Sequence, residues 1–465
     1  MIEALRATLG DAVSTAEADL DAARADRSGR VSETAPLAVV TARTVEDVQE
    51  TLRFASQHGI PVVPRGAGTG LAGGAIGGSG EIVLSLLAMN QILEISVDDE
   101  LAVVRPGILN DDLNAALAPH GLWFAPDPAS KAISTVGGNI ATNAGGILCA
   151  KYGVTREAVL GMTIVLADGR LMTLGHRTVK GVTGYDLTAL LIGSEGTLGV
   201  IVEATLRLRA LPVGPRATIG AYFDTVEQAA RASSAITASR LRPAAMELMG
   251  QSALSGIGDY LGLDLGGRGS YLVVQFDGPS QFDGPSQFDG PGQLDGSGAA
   301  AEADAAATII RSLGGEAELA TDEAEGERLF AIRRAFHPAM AARGTVLIED
   351  VAVPRSQLPA MFAAISDIEK KYGMVIPTVA HAGDGNLHPN FIFEGPDVPS
   401  AVWDAADELF QACLRLGGTL TGEHGVGTLK RRWLRDELGD DQVDLQRELK
   451  RVFDPLGILN PAKIF

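Results

Sequence analysis

Cysteine and cationic side chains are scarce in this sequence of 465 residues. The two cysteines, Cys149 and Cys413, lie far apart and fit neither a disulfide framework nor the ligand spacing of a zinc ribbon, so we expect free thiols. Only 38 lysines and arginines stand against 58 acidic residues, which gives a net charge of −20. Such a charge repels phosphate backbones and anionic lipids, and it therefore disfavours nucleic acid and membrane as partners.

Long apolar runs are also absent, because no stretch of about 18 apolar residues occurs that could cross a bilayer. The N-terminal stretch MIEALRATLGDAVSTAEADLDAARADRSGR has the pattern of an acidic amphipathic helix. It lacks the basic start and the apolar middle of a secretion signal. We therefore expect a cytoplasmic protein, or one that is peripheral to a membrane through a partner.

The sequence does contain enough apolar material for a globular α+β fold. Hydrophobic residues make up 46% and charged residues 21%, and the length exceeds the usual size of a single core, which predicts two domains. The strand pattern PLAVV, a helix capped by Thr44 and ended by Gly59, and the strand IPVV predict a β-α-β unit. In MTIVLADGRLMTL, the pair Asp168-Gly169 between two apolar runs predicts a β-hairpin.

A second domain is predicted to begin near residues 211–215, where the glycine density falls. The helix pattern TVEQAARASSAITAS and the strand pattern SYLVVQF follow. Residues 275–298 then repeat a six-residue unit as QFDGPS, QFDGPS, QFDGPG and QLDGSG. Units rich in proline and glycine cannot build a stacked core, so we predict a flexible loop extending from the end of a strand. The alternative, an aspartate-lined calcium site, lacks the nine-residue pattern of known calcium-binding repeats.

Two glycine-rich segments indicate a phosphate-bearing ligand. The first, VVPRGAGTGLAGGAIGGSG at residues 62–80, contains GxGxxG, but a Rossmann fold needs a helix to follow that motif. Further glycines cost a helix about 1 kcal/mol each, and EIVLSL is typical of a strand. A glycine-lined loop can still bring N–H groups close to a diphosphate, whereas the alternative is a plain flexible turn. The second segment, PDPASKAISTVGGNIATNAGG at residues 126–146, favours a long ligand such as a dinucleotide.

These segments resemble a known family. PRGAGTGLAGG, PDP with TVGGNIATNAGG, KYGVTREAVLGMTIVLADG, VTGYDLTALLIGSEGTLGVI, HAGDGNLH, GEHGVG and DPLGILNP occur here in the order typical of FAD-linked oxidases. That family includes D-lactate dehydrogenases, the glycolate oxidase catalytic subunit and D-2-hydroxyglutarate dehydrogenase. The resemblance implies a two-domain α+β flavoprotein with a flavin domain of the vanillyl-alcohol-oxidase type, an antiparallel-sheet cap domain and a C-terminal helical segment that returns to the flavin.

The expected boundaries follow from the resemblance. Residues 1–35 would form an N-terminal helical segment, 36–213 the FAD-binding domain, 214–420 the cap or substrate domain, and 421–465 the C-terminal segment. The FAD is expected to be non-covalent, because the first glycine-rich loop lacks the histidine that binds flavin covalently in some relatives. The residues that the resemblance places at the cofactor are Pro64, Arg65, Gly66, Ala67, Gly68, Thr69, Gly70, Gly73, Pro126, Asp127, Thr135, Gly137, Gly138, Asn139, Ala141, Thr142, Asn143, Glu195, Gly199 and Ile201.

Three of the seven histidines, with one glutamate, form a candidate metal site. His381, His388, Glu423 and His424 fall within 44 residues, and two histidines with one carboxylate can bind a divalent cation that keeps open coordination positions. The glycines of HAGDGNLH would let both imidazoles turn to one side. From the residues alone, ordinary hydrogen-bonded histidines are the slightly favoured alternative. The resemblance implies a metal, often zinc, bound by His381, His388 and Glu423.

The implied reaction is the oxidation of a small 2-hydroxy acid. The hydroxyl loses its proton, a hydride moves from the α-carbon to flavin N5, and a divalent cation that binds the carboxylate and the hydroxyl lowers the hydroxyl pKa. His424 is the candidate base because imidazole titrates near neutral pH, and holding Glu423 in place is its alternative role. Asn390, on the strand face of His388, could hydrogen-bond the substrate.

Arg333 is the expected partner of the substrate carboxylate, since a guanidinium offers a bidentate fit that lysine does not. A surface role for Arg333, or replacement by its neighbour Arg334, is the alternative. Relatives that act on five-carbon diacids carry a lysine fifteen residues further on, where this chain has Ile348. The difference favours a monoacid such as glycolate or D-lactate.

Two other functions fit fewer of these features. A metal-dependent hydrolase would leave the glycine-rich segments without a purpose, and a non-catalytic FAD-binding subunit of an oxidase complex would not need the full ligand set. The electron acceptor stays open among a quinone, a cytochrome, an electron-transferring flavoprotein, oxygen and an iron-sulfur subunit. The chain has no cysteine cluster of its own to carry electrons onward.

Overall fold

A computed structural model of the protein describes residues 1–265, 267–278 and 297–465. The chain divides into two compact units. The first unit consists of Met1–Gly145, Gly153–Arg209 and Glu423–Phe465, and the second of Gly146–Tyr152 and Ala210–Gly422. Each unit is therefore assembled from segments that are distant in the sequence.

Both units contain helices and strands. The strands are β1 (Val13–Ser14), β2 (Ala38–Thr41), β3 (Val62–Arg65), β4 (Ile82–Ser85), β5 (Ile92–Ser96), β6 (Leu101–Val104), β7 (Leu122–Trp123), β8 (Val159–Val165), β9 (Leu171–Gly175), β10 (Val200–Arg207), β11 (Arg209–Ala210), β12 (Ala217–Phe223), β13 (Ala245–Gly250), β14 (Ser270–Phe276), β15 (Glu316–Leu319), β16 (Thr345–Ile348), β17 (Val351–Ala352), β18 (Thr378–His381) and β19 (Asn386–Phe393). The helices are α1 (Ile2–Leu9), α2 (Glu17–Ala23), α3 (Val45–His58), α4 (Asn110–Leu117), α5 (Val136–Thr142), α6 (Cys149–Tyr152), α7 (Leu187–Leu191), α8 (Val226–Ala238), α9 (Gln251–Leu261), α10 (Ser297–Ser312), α11 (Glu323–Arg334), α12 (Phe336–Ala341), α13 (Leu358–Tyr372), α14 (Ser400–Arg415) and α15 (Leu434–Phe453). Not one of the described helices combines the length and the apolar composition needed to cross a bilayer.

A four-stranded sheet in the order β1-β2-β4-β3 opens the first unit. Strands β2, β4 and β3 are parallel, and α3 connects β2 to β3, so the predicted β-α-β unit is confirmed. The Thr44 side chain accepts a hydrogen bond from the Asp47 amide and the Asp47 carboxylate accepts one from the Thr44 amide, which fixes the start of α3. Gly59 ends the helix at φ 63°, a conformation that costs glycine little. Val48 and Leu52, on the inner face of α3, are buried.

A five-stranded antiparallel sheet in the order β5-β6-β10-β8-β9 completes the first unit. The predicted hairpin is confirmed, because β8 and β9 pair from Val165 opposite Leu171 and enclose Asp168 and Gly169. The Asp168 carboxylate accepts from the Arg170 amide, and Gly169 has φ 82°. In this turn the aspartate side chain hydrogen-bonds the backbone and the glycine adopts a positive φ, as is typical of these two residues in turns.

The N-terminal segment differs from the single amphipathic helix that its pattern suggested. Helix α1 stops at Gly10, which has φ 59°, and the chain then forms β1, which pairs with β2, before α2 begins. A residue in the left-handed region cannot continue an α-helix. The apolar side chains of this segment are shared between two helices and a strand, and Leu5 and Val13 are buried among the residues around the parallel sheet.

The C-terminal segment belongs to the first unit. Helix α15 leads into a turn in which the Asp454 carboxylate accepts from the amides of Ile458 and Leu459. Leu459 then lies beside Val62 in a parallel bridge. The ammonium group of Lys450 donates to the Leu459 carbonyl at 2.8 Å and pairs with Asp454. The motif DPLGILNP is thus a turn with an exposed tip at residues 455–457, and its buried residues 458–460 hold the chain end against β3.

The second unit is built on a mostly antiparallel sheet in the order β15-β12-β14-β13-β18-β19-β16, with β17 also paired to β19. The predicted helix and strand of this region are present as α8 and β14. Gln275 and Phe276, at the start of the hexapeptide repeat, end β14, and both are buried. The loop predicted for the remainder of the repeat lies outside the described residues, which resume at α10.

Candidate functional site

The first glycine-rich segment is an extended loop between β3 and β4, and no helix occurs within residues 66–81. The prediction that its GxGxxG does not open a Rossmann helix is therefore confirmed. At Gly66, a Cβ atom would lie 2.4 Å from Thr135 Oγ1, so only glycine fits there. The two glycine-rich segments, predicted to share one ligand, thus contact each other at Gly66 and Thr135.

The second glycine-rich segment contains a short helix, α5, where the sequence suggested loop. Thr135 caps it, since its hydroxyl accepts from the Gly138 amide, and Asn143 ends it at φ 52°. At Gly137, a Cβ atom would lie 2.4 Å from Pro106 Cβ, so this glycine allows close packing despite its low helix propensity. Local propensity alone therefore gave the wrong conformation for this segment.

One buried polar group in these segments fits the binding of a polar ligand. The Asn139 Nδ2 donor is buried and has no hydrogen-bond partner among the described residues, as expected of a group that binds a ligand. Arg65 instead donates to protein, from Nη1 to the Ala75 carbonyl at 2.6 Å and from Nη2 to the Ala22 carbonyl at 3.3 Å. The backbone of residues 66–70, rather than the Arg65 guanidinium, is thus what the loop offers to a diphosphate.

Three further residues expected at the cofactor are held by hydrogen bonding or close packing. The Pro126 carbonyl accepts from Asn110 Nδ2 at 3.0 Å, so the backbone there is fixed by a buried amide. Ile201 lies in β10 and packs in the apolar cluster below the antiparallel sheet. At Gly199, a Cβ atom would lie 3.0 Å from Ile164 Cδ1, which makes this glycine a close-packing position.

Glu195, one of the residues expected at the cofactor, binds protein backbone. Its two carboxylate oxygens accept from the amides of Val426 and Gly427 at 2.7 and 2.8 Å, and its own carbonyl accepts from Asn460 Nδ2 at 2.7 Å. Burial raises the pKa of Glu195 to about 7, although the two amides and Lys430 favour the ionised form. Glu195 therefore fixes the segment that follows Glu423 in the chain.

This buried carboxyl group predicts a pH-dependent stability. Because the pKa of Glu195 is raised from 4.5 to about 7, its protonated form is favoured by folding, and stability falls as the pH rises from about 4.5 through 7. At about 1.4 kcal/mol per pKa unit, the loss amounts to about 3 kcal/mol. We expect the thermal midpoint of the wild type to fall by several degrees more between pH 5 and pH 8 than that of Glu195→Gln. Parallel midpoint curves would contradict this.

One face of the sheet in the second unit carries a row of polar side chains. Glu247 on β13 lies opposite His381 on β18, and Val379, two residues before His381, lies opposite His388 on β19. Side chains two residues apart on a strand share a face, so Glu247, His381, His388 and Asn390 all point to the same side. The imidazole centroids of His381 and His388 are 5.1 Å apart with their planes at 83°. The turn between β18 and β19, rather than flexibility within one strand, brings the two rings together.

Glu247 connects two of the predicted site residues. Its carboxylate accepts from His381 Nδ1 at 2.7 Å and from Arg333 Nε at 2.6 Å, and all three side chains are buried. Burial by itself would raise the pKa of Glu247, but its interactions with His381 and Arg333 hold it below its usual value. Arg333 is therefore not on the surface, whereas Arg334 is, and it pairs with Glu327 at 2.6 Å.

Asp350 fixes the chain that leads to Glu423. Its carboxylate accepts from Asn386 Nδ2 at 2.6 Å, from Thr421 Oγ1 at 2.6 Å and from the Gly422 amide at 2.9 Å. Asp350 Oδ1 also lies 3.8 Å from His388 Nδ1. Gly422 is thus held in the second unit at the residue directly before Glu423.

The predicted chemical residues are distributed over both units. His381, His388, Asn390 and Arg333 are in the second unit, whereas Glu423 and His424 begin the last segment of the first. Within that segment, His424 Nε2 lies 3.9 Å from Glu423 Oε1. Asn390 is fully buried and its Nδ2 donates to the His388 carbonyl at 2.8 Å, while its Oδ1 has no partner among the described residues.

Sequence reasoning missed Glu247 and Asp350. Both carried a signal, because each carboxylate interrupts an apolar run, AAMELMG for Glu247 and VLIEDVAV for Asp350. A carboxylate inside a buried strand requires partners, since burying an unpaired charge is costly. The signal reveals that partners exist, but it does not identify them.

Two protein-family models match the chain. The model described as the C-terminal domain of FAD linked oxidases matches residues 215–464, and the model described as an FAD binding domain matches residues 36–175. The first range contains the row of polar side chains on the sheet of the second unit, and the second range contains both glycine-rich segments.

Similar proteins cover most of the chain. It is 39% identical over 438 residues to the glycolate oxidase subunit GlcD of Bacillus subtilis (strain 168), covering 92% of this chain and 89% of that protein. It is 35% identical over 435 residues to a D-lactate dehydrogenase of Archaeoglobus fulgidus, covering 92% of this chain and 90% of that protein. A solved structure of p-cresol methylhydroxylase is similar with a TM-score of 0.78 at 17% identity, covering 100% of this chain and 96% of that chain. At such low identity this last similarity shows the fold alone.

Proposed function

The chain belongs to the family of FAD-linked oxidases, and from this premise we propose that it oxidises a small 2-hydroxy acid such as glycolate or D-lactate. The family confirms the predicted two-domain flavoprotein fold and the class of FAD-linked oxidoreductase. The hydrolase alternative is thereby removed. The single observation that supports the proposed substrate class is the polar row on the buried sheet face, where two imidazoles lie beside a carboxylate-held arginine.

We propose that FAD lies on residues 64–73, 126–143 and 195–201, with the Gly66 backbone and the open Asn139 donor as its supports. When bound, FAD supplies the hydride acceptor. The chain's own part is to hold the cofactor by backbone N–H groups and small side chains, which place no bulk where a diphosphate must approach. The first-loop segment has no histidine, and we therefore propose a non-covalent cofactor.

His381, His388 and Glu423 are proposed to hold a divalent metal, with zinc as the first candidate. The two imidazoles are buried on one sheet face, and Glu423 follows Gly422, which Asp350 holds in place. Two imidazoles and one carboxylate suit such a cation. When bound, the cation supplies the charge that lowers the pKa of the substrate hydroxyl.

Three further side chains are proposed to act on the substrate. Arg333 pairs with the substrate carboxylate, because Glu247 occupies its Nε and leaves the two terminal nitrogens. Asn390 hydrogen-bonds the substrate through the second proton of its Nδ2, since the first is donated to the His388 carbonyl. His424 takes the hydroxyl proton as the general base. Electrons then leave the reduced flavin for an acceptor other than NAD. That acceptor is a separate molecule, because a chain with two cysteines has no iron-sulfur cluster of its own.

Anaerobic reduction of the flavin tests this function. We expect D-lactate or glycolate to bleach the visible absorbance of the purified flavoprotein, and a chelator to slow the bleaching. A panel of D- and L-2-hydroxy acids gives the handedness and the side-chain size. If no 2-hydroxy acid bleaches the flavin, the chain is a non-catalytic FAD-binding subunit or acts on another substrate, and the proposal fails.

Ile348 is expected to set the preference for monoacids. It lies opposite Asn390 across β16 and β19, so its side chain is on the sheet face that carries the histidines. In Ile348→Lys, a charge-assisted hydrogen bond to a second substrate carboxylate would contribute about 1.5–3 kcal/mol. We expect the ratio of kcat/KM for D-2-hydroxyglutarate to that for D-lactate to rise about 10- to 100-fold. Ile348→Met is the control, and an unchanged ratio in the lysine variant would refute the assignment.

A further inference from the structure

Glu247 is a buried charge whose position the sheet determines. It lies directly opposite His381 in the β13–β18 register, and 134 residues separate the two in the sequence. Its carboxylate receives one hydrogen bond from His381 Nδ1 and one from Arg333 Nε, at 2.7 and 2.6 Å. One side chain thus contacts both a proposed metal ligand and the proposed carboxylate-binding residue.

Apolar side chains also surround Glu247. Met249 and Val379 share its sheet face, Val273 lies opposite it on β14, and all three belong to the same hydrophobic cluster as Phe330. In such a cluster, packed apolar side chains are often as stable as a buried ion pair or more so. Fold stability alone therefore gives no reason for a carboxylate at this position.

The hydrogen bonds of Glu247 determine the protonation of the His381 ring and the orientation of the Arg333 guanidinium. A neutral imidazole that donates from Nδ1 has its lone pair on Nε2, the atom then able to bind a metal. A guanidinium held through Nε keeps Nη1 and Nη2 side by side, and these make no hydrogen bond to any residue in the described part of the chain. Such a pair fits the two oxygens of a carboxylate.

We infer that Glu247 is a positioning residue: it fixes His381 in the Nδ1-protonated tautomer, which places the ring lone pair on Nε2, and aims the terminal nitrogens of Arg333 at the substrate carboxylate. This inference rests on the proposed function. It makes metal affinity and substrate affinity depend on one carboxylate. A substitution of Glu247 therefore affects both affinities, whereas a substitution of Arg333 affects only that for the substrate.

Glu247→Gln tests the inference with Zn²⁺ alone as the probe. Glutamine has an NH₂ group in place of one of the two accepting carboxylate oxygens, and this group, when it faces His381 Nδ1, favours the opposite imidazole tautomer. We expect the Zn²⁺ affinity, measured by competition with a chelator, to fall about 10- to 100-fold, as is typical when a hydrogen-bond partner of a ligating histidine is lost. KM for the hydroxy acid should rise as well. Glu302→Gln, a half-buried carboxyl near Arg242 in the same unit, is the matched control and should retain wild-type affinity.

A second measurement needs no substitution at Glu247. In the metal-free full-length protein labelled with ¹⁵N-histidine, the NMR signals of His381, assigned by their loss in His381→Gln, should report a proton on Nδ1. A neutral His381 ring that carries its proton on Nε2 and not on Nδ1 would overturn the inference even if Glu247→Gln fails to fold.

The two failures are distinguishable. If the wild type binds no Zn²⁺, the proposed metal site itself is wrong and the inference falls with it. If wild type and Glu247→Gln bind Zn²⁺ equally well, within about twofold, the metal site stands and Glu247 has only a structural role.

Discussion

Replacing His388 with glutamine should slow anaerobic flavin reduction by glycolate or D-lactate about 10²- to 10³-fold. The imidazole is one of the proposed metal ligands, and the charge stabilisation that a bound cation supplies is worth several kcal/mol, at about 1.4 kcal/mol per tenfold in rate. His388 lies on β19, 5.1 Å from His381 between ring centroids. The measurements are the single-turnover bleaching rate and the metal content of the purified protein.

The flavin itself should remain bound in this variant, because the proposed FAD residues lie in the first unit and His388 lies in the second. An unchanged visible spectrum with a lost bleaching rate would thus separate the chemistry from cofactor binding. His120→Gln, at an exposed position, is the control and should leave both unchanged. A His388→Gln protein that bleaches at the wild-type rate would refute the metal assignment.

Gly66→Ala is expected to weaken FAD binding about 10- to 100-fold. The new Cβ atom would lie 2.4 Å from Thr135 Oγ1, and that hydroxyl cannot move away without losing its hydrogen bond from the Gly138 amide. Forcing an extra methyl into a packed contact costs about 1–3 kcal/mol, and the cost falls on the two segments proposed to hold the cofactor. The dissociation constant is measured by titrating FAD into deflavinated protein.

Gly250→Ala is the matched control, because the nearest atom to its Cβ position is 4.0 Å away and its φ of −77° suits any residue. Removing the Thr135 hydroxyl, which the new methyl group would meet, should partly restore binding. The double variant Gly66→Ala, Thr135→Ala should therefore bind FAD more tightly than Gly66→Ala alone. If Gly66→Ala binds FAD like the wild type, residues 65–69 do not form the cofactor loop.

Much of the local structure followed from neighbouring residues. The capping box of Thr44 and Asp47, the αL glycine Gly59 and the Asp168-Gly169 turn are decided within a few positions of the chain, so their patterns predicted them correctly. Helix α5 was not predicted, because the contact that favours it, Gly137 against Pro106, joins residues distant in the sequence.

By itself, the sequence determined the family, the cofactor class and the residue types available for chemistry, because these are contained in the order of its motifs. Tertiary structure alone decided which partners those residues have. Strand register placed Glu247 opposite His381, and helix packing brought Arg333 to the same carboxylate. The physical reason is that a buried charge must find its partner across the sheet, where sequence distance carries no information and only the pairing of the strands sets which side chains meet.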